Sequence, residues 1–117
     1  MKIDFSNQKD KKVEIKERNT IQFVDISKIS YFKCDGYITT INIFDSAPIT
    51  VSKLLKDFES ELEEYGFIRA NRSTLVNLAV VKKYVGGRIR LLELMTGEHI
   101  KVSRRNVFKF RECHLCF

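Results

Sequence analysis

Tryptophan is absent from this chain of 117 residues, proline occurs once and glycine five times. So little glycine and proline excludes collagen-like and low-complexity architectures. Long hydrophobic runs are also missing. The longest nearly apolar stretch, Leu75 to Val81, is interrupted by Asn77. A stretch that short does not span a bilayer, and the polar start Met1-Lys2-Ile3-Asp4 does not read as a signal peptide. Histidine occurs only twice, with no patterned Ser, Cys or Asp partner. No glycine-rich phosphate loop is present, since Val85-Gly86-Gly87-Arg88 reads as a hairpin turn. With no nucleophile and base, and with most carboxylates on one solvated helix face, catalysis is not expected.

Cysteine is scarce and odd in number. Cys34, Cys113 and Cys116 cannot all pair within the chain, which suits a reducing, cytoplasmic setting. Cys113-His114-Leu115-Cys116 has the spacing of half a metal site. A tetrahedral zinc needs four ligands, and only Cys34 and His99 are spare. The plainer reading is two thiols in a tail, 113–117, and no metal or cofactor is expected.

What is present is a balanced composition, 44% hydrophobic and 31% charged, with nine Phe and four Tyr to fill one core. This fits one domain over 12–112 after a loose lead-in, 1–11. The net charge of +6 is unevenly spread. Residues 1–31 carry +2, residues 32–66 carry −4 and residues 67–117 carry +8. A basic last part suggests a polyanion partner. No Lys/Arg-rich amphipathic helix points to a membrane.

Strand signals dominate the chain. Val13–Lys16 and Thr20–Phe23 alternate about the turn residues Arg18-Asn19. Ile29–Lys33 and Tyr37–Phe44 are β-branched and aromatic, joined by an Asp35-Gly36 turn signal. Ser52 is expected to cap an acidic helix, Lys53 to Glu64, with Leu54, Leu55, Phe58 and Leu62 on its apolar face and Gly66 at its end. Strands are then expected at Val80–Val85, Arg88–Leu94 and His99–Val102. Ser103 is expected to cap a last short helix bearing Val107 and Phe110.

Two segments concentrate polar reach: Phe67 to Asn77, and Lys101-Val102-Ser103-Arg104-Arg105-Asn106. Arg presents a planar fork that suits guanine edges and phosphates, and Asn can pair with adenine. Ser hydroxyls and helix-start amides bind phosphate oxygens. Set against this, Arg69 is expected to pair with Glu63 or Glu64, and Asn77 to be a buried hydrogen-bonding residue. Lys82 and Lys83 should alternate across a strand, so that at most one faces a ligand.

The run Phe67-Ile68-Arg69-Ala70-Asn71-Arg72-Ser73-Thr74-Leu75-Val76-Asn77, followed by Ile100-Lys101-Val102-Ser103-Arg104-Arg105, resembles the LytTR family of bacterial DNA-binding domains. Upstream, Ile29 to Tyr37 is similar to that family's tyrosine-bearing turn. The resemblance runs from about Lys12 to Phe110. Asn71 stands where the family usually has His, and Thr74 where it usually has an aromatic ring.

The resemblance implies a mostly β fold of small antiparallel sheets packed side by side with two short helices. It implies a double-stranded DNA partner read by loops and no catalysis. Tyr37 and Arg105 look like the residues that enter successive major grooves, and Arg72 like the one facing the minor groove between them. Asn71, Ser73, Lys101, Ser103 and Arg104 complete the implied contacts. Family members often end two-component response regulators and bind direct repeats as two copies. No residues are left over for a receiver domain, so an output domain or a regulator lacking one is expected. The rival reading is a non-catalytic dimerisation module that uses open β edges and the Cys113–Cys116 tail.

Overall fold

The computed structural model describes residues 5–111. Strand β1 (Lys12–Glu17) and strand β2 (Thr20–Asp25) form a two-stranded hairpin turning at Arg18-Asn19, as their alternation predicts. Val13, Ile15 and Val24 are buried on its inner face. On the outer face Ile21 and Phe23 remain exposed.

A five-stranded antiparallel sheet follows. It comprises β3 (Ile29–Asp35), β4 (Ile38–Ile43), β5 (Ile49–Val51), β6 (Phe67–Asn71) and β7 (Thr74–Asn77), in the order β5-β4-β3-β7-β6. The β3–β4 turn is Gly36-Tyr37, one residue later than expected, because Asp35 still pairs with Ile38. Gly36 supplies a φ of 65°, which a tight hairpin turn needs. The polar-reach segment is itself a hairpin, β6–β7, with Arg72-Ser73 at its tip. Thr74, in place of a ring, is buried and sits opposite Lys33 of β3.

A third antiparallel sheet contains β8 (Val81–Val85), β9 (Leu91–Leu94) and β10 (His99–Lys101), in the order β10-β9-β8. The structure is therefore mostly β, with small antiparallel sheets and two short helices, α1 (Leu55–Leu62) and α2 (Val107–Arg111). No helix among the described residues is long and apolar enough to cross a membrane.

The central sheet separates two cores. On one face, Phe32, Ile41, Phe67 and Leu75 pack with α1 and the β1–β2 hairpin. The Phe32 ring lies 4.6 Å from Phe58 of α1 and 5.8 Å from Phe67, centroid to centroid. On the other face, Ala70 and Val76 pack with Leu92, Leu94, Ile100 and Phe110 from the small sheet and α2.

Several local expectations are corrected. Ser52 does not cap α1. The chain stays extended through Leu54, held by β4–β5 pairing and by the Thr39 hydroxyl donating to the Lys53 carbonyl at 2.6 Å. Leu54 is consequently exposed, while Leu55, Phe58 and Leu62 are buried. Ser103 precedes a 3-10 turn, Arg104–Asn106, rather than an α-helix, and its hydroxyl accepts from the Asn106 amide instead of capping the backbone. A bulge between Val81 and Lys83 abolishes the expected alternation. Lys82 and Lys83 both reach Glu93, at 3.9 and 3.8 Å.

The lead-in is docked rather than loose over Phe5–Gln8, a 3-10 turn. Gln8 is buried and donates to the Tyr65 carbonyl and to Asn77 Oδ1, at 2.6 and 2.9 Å. Asn77 is fully buried, as expected. Its amide donates to the Ile29 carbonyl at 2.9 Å, and its Oδ1 also accepts from the Ala79 amide, capping the turn Leu78–Val80. Cys113, His114 and Cys116 lie outside the described residues.

One tie crosses between the sheets. The Tyr31 hydroxyl on β3 donates to Glu98 Oε2 at 2.7 Å, in the turn between β9 and β10, and Thr96 donates to the other carboxylate oxygen. Burial, then the hydrogen bond to Glu98 and that carboxylate's charge, push Tyr31 from its ordinary 10.0 up to about 12. A raised acid pKa stabilises the fold below the unfolded value, and that contribution disappears as pH rises through the folded one. Tyr31→Phe should therefore be less stable than the parent below about pH 10, with the difference closing by about pH 12. Urea midpoints across that range test this, and a gap that widens with pH would contradict it. Asn77→Ala should cost about 2–4 kcal/mol, because it strands the Ile29 carbonyl and the Ala79 amide. Chemical denaturation with an unchanged m-value is the check.

Candidate nucleic-acid interface

Strand direction decides which turns meet. β3 ends at Asp35, and β7, antiparallel to it, begins at Thr74 opposite Lys33. The Gly36-Tyr37 and Arg72-Ser73 turns therefore lie at the same end of the large sheet. Two strand widths, about 10 Å, separate them. The Cys34 amide donates to the Ser73 carbonyl at 2.8 Å, fixing one turn against the other.

β10 leaves the small sheet at this same end. Its last residue, Lys101, is tied to the β6–β7 turn, since Asn71 Nδ2 donates to the Lys101 carbonyl at 2.6 Å. The Ser103 amide donates to the Ala70 carbonyl at 3.0 Å. All eight residues singled out in the sequence thus gather at one end. Tyr37 is 83% exposed at its tip. Arg72, Lys101, Arg104 and Arg105 are exposed, while Asn71, Ser73 and Ser103 are half-buried.

These side chains differ in how free they are. None of Arg72, Lys101, Arg104 and Arg105 forms an ion pair among the described residues. Asn71 is occupied. Besides Lys101, its Oδ1 accepts from the Ser73 amide at 2.9 Å and from the Ser73 hydroxyl at 3.1 Å. Arg69 pairs with Glu59 at 3.1 Å, not with Glu63 or Glu64, because Arg69 faces the α1 side of β6. Its other arm donates to the Arg72 carbonyl at 2.8 Å, bracing the turn from behind.

A family model, described as the LytTr DNA-binding domain, matches residues 19–114. The chain belongs to the LytTR family. A solved LytTr DNA-binding domain, from a protein described as a methyl-accepting/DNA response regulator of Bacillus cereus, is 28% identical. It superposes with a TM-score of 0.72 over 86% of this chain and 94% of that one. No curated protein matches. DNA is thus the partner of this LytTR domain, and transcription regulation its field.

Sequence reasoning missed part of this end. Lys33 lies beside the β6–β7 turn, and the loop 86–90 adjoins Val102, whose amide donates to the Arg90 carbonyl at 2.8 Å. The expected strand from Arg88 starts only at Leu91. The +8 charge of the last part of the chain was the available signal for Arg88 and Arg90.

Asn71 holds two segments together with three bonds. Asn71→Ala should cost about 1–3 kcal/mol and release the Ser73 amide. Hydrogen exchange is the measurement: Ser73 should speed up by more than the global loss of stability explains. Equal acceleration of Ser73 and of the buried Phe32 amide would mean that Asn71 does not hold the turn.

Proposed function

We propose that this LytTR domain binds double-stranded DNA sequence-specifically through the turns at this one end, regulating transcription in the cytoplasm without catalysis. The observation that carries the reading is the hydrogen-bonded row Cys34–Ser73, Asn71–Lys101 and Ala70–Ser103, which presents unpaired guanidiniums on backbone that cannot drift. Sites on rigid elements read with the accuracy that base discrimination needs.

Arg105 and Tyr37 enter major grooves, with Arg105 offering its fork to guanine O6 and N7. Arg72 faces the minor groove, where its affinity follows groove width. Ser73, Lys101, Ser103 and Arg104 hold phosphates. Asn71 supports these contacts by positioning Arg72 and Lys101, consistent with an amide already spent on internal bonds. Two copies bind direct repeats. The likeness to a response-regulator domain supports a role as the output module of such a regulator.

Titration of labelled duplex against salt tests the reading. With about six phosphates neutralised, log affinity should fall with log salt at a slope of about −5. A slope near zero on every duplex would leave a non-catalytic interaction module. Arg105→Lys keeps charge but loses the fork. It should cost about 1–3 kcal/mol on a selected site and little on scrambled DNA. Lys101→Ala should weaken both alike and flatten the slope by about one. Equal losses on both duplexes for Arg105→Lys would reduce Arg105 to a phosphate contact.

A further inference from the structure

The loop Gly86–Arg90 joins β8 to β9 and stands at the same end as the three segments already described. Val85 pairs with Leu91, and Leu91 with Lys101, so the loop projects beside the exit of β10. The ends of the strands therefore present a row in space: the Tyr37 turn, the Arg72 turn, the Lys101–Arg105 segment and then this loop.

Its residues divide sharply by role. Arg90 is held inward. Its amide carbonyl accepts from Val102, its Nε donates to the Val102 carbonyl at 3.3 Å, and its Nη1 donates to the Arg88 carbonyl at 3.4 Å. Arg90 thus fixes the loop both to the strand before Ser103 and to its own tip. Arg88 is exposed and forms no ion pair among the described residues. Ile89, between them, is 63% exposed, a large apolar side chain left in water at the tip of a basic loop. Gly87 adopts φ 93°, a left-handed conformation that glycine takes without strain, and so lets the chain turn at the tip.

We infer that Gly86–Arg90 is a further DNA-contacting segment, in which Arg88 meets a phosphate, Ile89 lies against a thymine methyl, and Arg90 positions both. The inference rests on the DNA reading above. Three features favour DNA over a protein partner for this loop. It is continuous with the row of DNA-facing turns, it carries cations on both sides of the apolar residue, and it has no carboxylate of its own. An apolar side chain flanked by arginines suits a groove, whose walls are phosphate and whose floor offers methyl and sugar surface. Arg90 is a positioning residue, because its donors are turned onto backbone carbonyls.

The experiment uses the full chain on a duplex selected by the parent protein from random DNA and on a scrambled duplex, each at two salt concentrations. Arg88→Gln should lower affinity about 8-fold on both at 0.1 M salt and flatten the slope by about 0.9, the loss of one phosphate contact. Ile89→Ser should lower affinity roughly 5-fold on the selected duplex only, with the slope unchanged. Lys28→Gln, at the opposite end of β3, serves as a control that should bind like the parent. Thermal unfolding checks that each variant folds, and exposed positions such as these should leave the midpoint unmoved. If Arg88→Gln and Ile89→Ser both bind like the parent while the parent keeps its steep salt slope, the loop is not a contact and the inference fails alone. If the parent shows no salt-dependent DNA binding, the DNA reading fails and this inference with it.

Discussion

Strand β7 has no solvent face. Thr74, Leu75, Val76 and Asn77 are all buried, with Leu75 in the core that α1 closes and Val76 in the core that the small sheet closes. Four residues thus form the wall shared by both halves of the molecule. A slip of one residue would exchange the two cores' side chains and drive Thr74 or Asn77 into apolar packing. The bonds of Asn77 to Gln8, Ile29 and Ala79 are made in one register only. What fixes that register also fixes the Arg72-Ser73 turn, which leads directly into β7.

The same double burial explains what could be read in advance. The β1–β2 hairpin was legible from its period-two alternation about Arg18-Asn19, although in β2 the alternating apolar residues Ile21 and Phe23 lie on the exposed face. The β3–β4 hairpin was legible from its β-branched and aromatic residues and its Asp35-Gly36 turn signal. In β7 both faces are apolar or internally bonded, and the alternation vanishes into a run that reads equally as polar reach or core. Ser52 before a helical pattern is a sound capping signal. It failed because β5, only three residues long, keeps the chain extended past it. The bulge at Val81–Lys83 leaves no mark in composition, so the lysines' shared partner Glu93 could not be foreseen.

The candidate interface was legible by residue type more than by geometry. Arg72 and Arg105 stand exposed, as guanidiniums meant for an outside partner should. Asn71 did not announce its internal use, since the amide that suits adenine suits a carbonyl equally well, and only the neighbouring Lys101 backbone decides between them. The 86–90 loop was hidden because a strand was expected from Arg88. Whether a turn joins a surface depends on which end of which sheet it occupies, and that is set by strand order, which periodicity does not encode.

Under the proposed function, a duplex met by turns instead of a helix raises a problem of stiffness, since a hairpin tip alone is among the more mobile parts of a fold. Here each tip is bonded to the next across an element boundary, and the two sheets are tied at both ends. Asn71 and Ala70 hold the small sheet's exit at the end that carries the Arg72 turn, and Tyr31 with Glu98 holds its turn at the other. One tie would leave the small sheet free to pivot about it. Two ties at opposite ends, with a shared core between them, oppose that pivoting and hold the backbone at Arg72 in place relative to the backbone at Arg105. Stiffness at the candidate interface is therefore a property of how the sheets are joined, and a residue as far from that end as Tyr31 takes part in it.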